Sequence, residues 1–251
     1  GLDGLLRARS KQLSGIVNGI DYNVYNPKTD KDIAVNYSVE DVIKAKAANK
    51  TALQKELGLE ENPDAFMLGI VSRLTAQKGL DLVECVLDQI CAEDVQLVVL
   101  GTGEGKYQDM FTYYSRKYPE RVSANIFYSE ALSHRIYASC DAFLMPSLFE
   151  PCGLSQLMSL RYGTLPIVRE TGGLRDTVTP YNEVDGTGTG FSFTNYNAHE
   201  MLAIIRYAKK TYFNDRRAWN EMVLRAMKQD FSWDASAREY EKLYDGLIEE
   251  E

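Results

Sequence analysis

From about Asp64 onward, short apolar runs alternate with amphipathic stretches. "AFMLGIV" precedes a segment whose apolar positions recur at helical spacing over 79–90, and "VQLVVLG" precedes another over about 104–118. "NIFY" leads into a helical pattern around 133–139, "AFLMP" into one opening near Gly153, and "LPIVRE" into a short helical turn after Gly173; "GFSF" closes the series. Continuous apolar strands separated by helical patterns of roughly ten to fifteen residues predict βαβ units and a parallel sheet buried on both faces. The expected fold is therefore α/β, a doubly wound parallel sheet of Rossmann-like type. Three more helices are predicted at 198–210, 215–229 and 232–246, the last opened by Ser232 as N-cap.

The first sixty residues have a different texture. "DGLLRARSKQ" reads as a partial helix, "SGIVNGID" as a short strand with an Asn-Gly turn, and "NPKTDKD" as a polar loop. Ser38, followed by Glu40 and Asp41, reads as a capping-box start to a helix ending at Gly58. The chain looks as if it is entered midway. Its 251 residues, 45% hydrophobic, are enough for one substantial core. No apolar run approaches the ~20 residues of a membrane span, and the start lacks the apolar centre of a signal peptide. Cys85, Cys91, Cys140 and Cys152 form no CxxC pair and neither His134 nor His199 lies beside one, so no disulfide framework or zinc site is indicated. A cytoplasmic setting is expected. The net charge of −8 argues against nucleic acid and anionic lipid as partners, so an anionic ligand needs locally placed cations.

"GTGEGK" follows a strand and opens a helix, yet it misses both the Walker spacing and the dinucleotide fingerprint, and a tight turn is the preferred reading. "DKD", Asp30 to Asp32, is formally the DxD of metal-dependent sugar transferases, but its polar loop favours solvated charge. "SRLTAQKGLD" is more specific. Arg73 emerges at the carboxyl end of a predicted strand and Lys78 stands just before a helix start, where open α/β sheets bind ligands. Two cations beside a helix N-terminus suit a diphosphate, and two solvated loop cations are the plain alternative. "SLFEPCGLSQL" repeats the geometry, with Glu150 at a strand end and Gly153 permitting close backbone approach. Taken alone, Glu150 is equally an ordinary carboxylate favouring a helix dipole. "RETGGLRDTV" repeats it again, with Gly172 and Gly173 between strand and helix.

Together, "SGIVNGID", "SRLTAQKGLDL", "SHRIYASCDAFLMPSLFEPCGLSQL", "RYGTLPIVRETGGLRDTV" and "FSW" closely resemble the bacterial glycogen synthases and plant starch synthases. The resemblance runs nearly the full length and implies the second, donor-nucleotide domain of a GT-B glycosyltransferase. Such an enzyme transfers glucose from ADP-glucose to an α-1,4-glucan with retention. The family's N-terminal domain is missing, since no "KxGGL" occurs, and the final helix is expected to pack on it. The resemblance implies that Arg73 and Lys78 hold the diphosphate, that Glu150 contacts glucose hydroxyls with Cys152 and Gly153 close by, and that the backbone of Leu154 and Ser155 meets the distal phosphate. It places Tyr128 on the adenine, Asn18 near the transferred sugar, and Gly172 and Gly173 beside the sugar-phosphate. A core tyrosine at a strand end is the alternative for Tyr128. Met158 stands where the broader retaining transferases have a second glutamate, a loss the glycogen and starch synthases share. No metal or other cofactor is implied. Two rivals stay open: a non-catalytic nucleotide- or glucan-binding module, and a nicotinamide-dependent dehydrogenase lacking its glycine fingerprint.

Overall fold

The structure is a computed structural model and describes residues 1–249. A short helix α1 (Asp3–Ala8) and a longer α2 (Val42–Leu57) precede the first strand, β1 (Phe66–Val71). Strands and helices then alternate as α3 (Leu80–Ala92), β2 (Val95–Leu100), α4 (Gly105–Lys117), β3 (Val122–Asn125), α5 (Glu130–Ser139), β4 (Ala142–Met145), α6 (Ser155–Arg161), β5 (Leu165–Arg169), α7 (Gly172–Thr177) and β6 (Phe191–Phe193). Helices α8 (Ala198–Asn214), α9 (Arg216–Lys228) and α10 (Trp233–Glu249) complete the described chain. The strands form one parallel sheet in the order β3-β2-β1-β4-β5-β6.

The continuous apolar runs are explained by cover on both faces. Successive side chains of a strand point to opposite sides. In β1, Phe66 sends its ring against Tyr212 of α8 and Trp219 of α9, with centroids 5.3 and 5.9 Å away. Its neighbour Met67 joins Val98 and Leu100 of β2 in a second cluster with Leu53 of α2, with Leu132 and Ile136 of α5 and with Cys140 just past its end. Gly69 lets α5 lie directly on the strand, since a Cβ there would stand 2.9 Å from Ile136 Cγ2. Helix ends follow local chemistry. The Ser129 hydroxyl caps α5, Asn197 caps α8 and Asp215 caps α9, while Gly58 takes the left-handed conformation that ends α2.

From β1 the chain moves outward to β2 and β3, then returns across β1 to β4 and continues outward on the other side. The loops after β1 and β4 therefore diverge, leaving a crevice at the carboxyl edge between them, the usual ligand position in such sheets.

Several sequence expectations are corrected. "SGIVNGID" is not a strand: Ile20 alone makes a bridge, to Ser232, and its neighbours are irregular. The edge strand is Val122–Asn125 rather than "NIFY", because β3 is only half covered and pairs on β2 alone. Helix α5 starts at Glu130, three residues before the expected position. Ser38 does not cap α2. Its amide and hydroxyl instead donate to the Asp41 carboxylate at 2.7 and 3.0 Å, forming a turn that ends where the helix begins at Val42. The reading of "DKD" as solvated charge holds for exposed Lys31 and Asp32 and fails for Asp30, which is buried against His134 and Tyr162.

Candidate active site

Three loops meet at the crevice, and their backbones touch. Gly79, between a 3-10 turn (Ala76–Lys78) and α3, has φ 73°, and a Cβ on it would lie 2.0 Å from the Pro146 carbonyl after β4. Only glycine combines that conformation with that proximity. On the other side, the Gly173 amide donates to the Glu150 carbonyl at 3.1 Å, and a Cβ on Gly172 would stand 2.1 Å from the same oxygen. Gly172 and Gly173 thus lock the loop after β5 onto the segment 150–152.

This stitching brings Lys78 to Glu150. Lys78 Nζ lies 2.5 Å from Glu150 Oε2, and the Ser147 hydroxyl reaches the same oxygen at 3.4 Å. Glu150 is buried, so the ion pair keeps its carboxylate from being an unpaired buried charge. Arg73 is exposed, and its guanidinium has no carboxylate within ion-pair distance among the described residues. It borders a cavity of about 350 Å³ lined also by Tyr25, Tyr128, Leu154, Ser155 and Met158. Tyr128 is 85% exposed there, which removes the alternative of a core tyrosine. The cavity joins one unpaired cation, Arg73, to aromatic and aliphatic walls, with exposed Glu130 also in the lining, and the aromatic walls suit a planar group whose negative charge lies toward Arg73.

Gly153 (φ 74°) turns the chain into α6, and fully buried Gln156 donates to the Cys152 and Gly153 carbonyls, each at 3.0 Å, and to Thr177 Oγ1 at 3.2 Å. The first amides of α6, from Ser155, have no side-chain cap. Burial pushes the Cys152 thiol up from its ordinary value, partly offset by the nearby Asn18 backbone. A raised thiol pKa disfavours the thiolate and speaks against Cys152 as a nucleophile. The Asn18 backbone therefore lies near Cys152. Of the residues singled out in the sequence, Arg73, Tyr128, Leu154 and Ser155 therefore share one cavity. Lys78 and Glu150 form a pair between the loops after β1 and β4, outside that lining, and Asn18 lies near Cys152 and Gly153.

Sequence reading missed Arg169. From the end of β5 its Nε donates to the Ser147 carbonyl at 2.8 Å and its Nη2 to the Leu148 carbonyl, pinning the loop that carries Glu150. The signal was available: "PIVRE", like "GIVSR", puts an arginine at the carboxyl end of a strand. Tyr25 was missed as well, because nothing near it in sequence marks it as a cavity wall. "GTGEGK" is a turn: Leu74 and the 102–104 backbone exchange hydrogen bonds of 2.9 and 2.8 Å, and the Glu104 carboxylate accepts from the Ala76 amide. A carboxylate at the start of α4 leaves no room for the dinucleotide reading there.

Residues 50–223 match the family Glycosyl transferases group 1. A curated glycogen synthase from Lachnospira eligens is 70% identical over 246 residues, covering 98% of this chain and 52% of its own length. One from Lachnoclostridium phytofermentans is 64% identical with the same shares. The catalytic domain of starch synthase IV from Arabidopsis thaliana, solved with ADP and acarbose, has a TM-score of 0.90 at 35% identity, over 99% of this chain and 52% of that one. The chain spans about half the length of the curated relatives it matches. The expected Rossmann-like sheet of a GT-B enzyme is the fold found. With the sheet order, the switch-point cluster and a match across most of the length in agreement, the chain belongs to the group 1 glycosyl transferases.

Proposed function

We propose that the chain is the donor-nucleotide half of a glycogen or starch synthase, which moves glucose from ADP-glucose to the non-reducing end of an α-1,4-glucan with retention of configuration. The observation that carries this reading is the Lys78–Glu150 pair at the β1/β4 switch point, beside the cavity that Arg73 and Tyr128 line. A sugar nucleotide presents both anionic phosphate and neutral hydroxyls. Lys78 and Glu150, held 2.5 Å apart, offer a donor to the first and an acceptor to the second. The names of the relatives, and the ADP and acarbose held by the starch synthase, support the choice of substrates.

On this reading Arg73 and Lys78 bind the diphosphate, the uncapped amides at Leu154 and Ser155 receive the distal phosphate, and Tyr128 stacks on the base. Glu150 accepts from glucose hydroxyls, with Asn18, Cys152 and Gly153 lining the sugar. Gly172 and Gly173 hold the loop. As the glycosidic bond to phosphate breaks, negative charge grows on the departing ADP, and cations already in place stabilise it without reorganisation. The leaving phosphate takes the proton of the acceptor hydroxyl on the same face of the sugar. No metal enters the scheme.

The acceptor glucan and the other half of the enzyme are the proposed partners. Helix α10 leaves Trp233, Tyr244, Leu247 and Ile248 exposed, and we assign that surface to the other half. No described helix is long and apolar enough to cross a membrane. Calorimetric titration of the chain with ADP and with UDP tests the reading. Binding of ADP in preference to UDP is expected, and no ADP binding contradicts it.

A further inference from the structure

Asp30 has a place in the fold that its sequence neighbourhood conceals. It is 7% exposed, and its carboxylate accepts from two side chains far along the chain, His134 Nδ1 at 2.7 Å and the Tyr162 hydroxyl. A carboxylate only accepts, so the contact places a proton on Nδ1. The other ring nitrogen, Nε2, is buried with no partner among the described residues. Asp30 is held from its backbone too, where its carbonyl accepts from Asn36 Nδ2 at 2.6 Å. Exposed Asp32 lies within reach of the same cluster, but Asp30 and His134 already satisfy one another.

Burying such a group is costly unless something is gained by fixing it. What the imidazole touches on its open face is Tyr25, stacked on it at 4.9 Å between centroids and 26° between planes. On another side the Tyr162 ring meets it edge-on, at 6.1 Å and 75°. One hydrogen bond and one edge contact set the plane of the imidazole, and the imidazole sets the plane of Tyr25. Half-buried Tyr25 is also a wall of the cavity that holds Arg73 and Tyr128.

We infer that Asp30 and His134 are positioning residues, which hold Tyr25 as the fixed aromatic wall for the purine of the bound nucleotide, within the same cavity as exposed Tyr128. The inference rests on the donor-site reading above and deepens it. A stacking platform gains affinity when its orientation is set before the ligand arrives, because less rotamer freedom is lost on binding. The Tyr128 ring, almost free in solvent, has no such support. The cavity therefore has one wall whose orientation is preset and one, Tyr128, that is not braced in this way.

The test titrates ADP and inorganic pyrophosphate into the 251-residue chain and into Tyr25→Ala, His134→Leu and the double variant. Pyrophosphate reports the phosphate contacts without the base. ADP affinity is expected to fall roughly tenfold in Tyr25→Ala, within the range for base–aromatic stacking, and several-fold in His134→Leu. Pyrophosphate affinity stays as in the parent, and the double variant is no weaker than Tyr25→Ala, as required when one residue acts through the other. Equal losses for ADP and pyrophosphate, additive effects in the double variant, or unchanged ADP affinity in His134→Leu overturns the inference. If His134→Leu does not fold, Tyr25→Ala decides alone, since it leaves the Asp30–His134 pair intact: unchanged ADP affinity there overturns it. A parent chain that takes up no ADP overturns the donor-site reading and this inference together.

Discussion

Lys78 Nζ and Glu150 Oε2 lie 2.5 Å apart across the boundary between the loops after β1 and β4. The two residues are 72 positions apart in sequence and come from opposite sides of the switch point. The pair exists because the sheet order turns back between those strands, and Gly79 against Pro146 closes the remaining gap.

In a full-length enzyme carrying this chain, Lys78→Ala is expected to lower kcat by at least ~100-fold, as is usual when a preorganised charge aimed at a leaving group is removed. Arg73→Ala is expected to do the same without lowering the melting temperature, since Arg73 is exposed and unpaired among the described residues. Steady-state kinetics check both. Near-normal kcat in both variants removes the diphosphate assignment.

Tyr128→Ala is expected to weaken ADP binding by about 1–3 kcal/mol, the range for base–aromatic stacking, with no change in melting temperature because the ring is 85% exposed. Calorimetry and a thermal melt separate the two effects. A destabilised protein with unchanged ADP affinity assigns the ring a structural role.

The fold and the residues that meet at the candidate site were legible because they depend on order along the chain. Apolar runs gave the strands, and Arg73, Lys78 and Glu150 stood out by following a strand and preceding a helix. What failed depended on partners. β3 was displaced because a half-covered edge strand such as "VSAN" lacks the apolar run of an inner one, while "NIFY" imitates it. Asp30 was read as solvated because its partners, His134 and Tyr162, lie 104 and 132 residues away. "SGIVNGID" has strand composition, but its backbone pairs with no strand: the Ile20 amide donates to the Phe231 carbonyl, the Val17 carbonyl accepts from the Ser236 hydroxyl, and a Cβ on Gly19 would stand 2.5 Å from the Trp233 amide.

Lys50 and Asp141 form a buried ion pair of 2.7 Å, with side-chain exposures of 3% and 9%. Asp141 also accepts from the Met67 amide at 2.8 Å, tying the start of β4 to β1. Lys50→Ala is expected to cost about 3–5 kcal/mol, because it leaves a buried carboxylate uncompensated. Urea unfolding measures it, and a loss below ~1 kcal/mol contradicts the assignment.

Lys46 donates to the Tyr137 and Ala138 carbonyls and to Thr164 Oγ1, and burial pushes its pKa down to about 7. The unfolded amine titrates near 10.5. Between those values the unfolded chain binds a proton that the folded chain lacks, so stability rises with pH, by up to ~1.4 kcal/mol per unit. Below about pH 7 the penalty is fully present and constant. The stability of the parent relative to Lys46→Met is therefore expected to climb from pH 7 to 10. Parallel profiles contradict a depressed Lys46.

On the proposed reading these residues form the donor side of a cleft whose other wall is supplied by the rest of the enzyme. Orientation of donor and acceptor contributes ~7–11 kcal/mol of a barrier of this kind, and residues on one side of a cleft do not supply it. The most direct measurement is transfer of radiolabelled glucose from ADP-glucose to a maltooligosaccharide, by the 251-residue chain and by a full-length enzyme that carries it. Transfer by the full-length enzyme and none by the chain is the predicted result. Transfer by the chain at a comparable rate, or none by either, contradicts it.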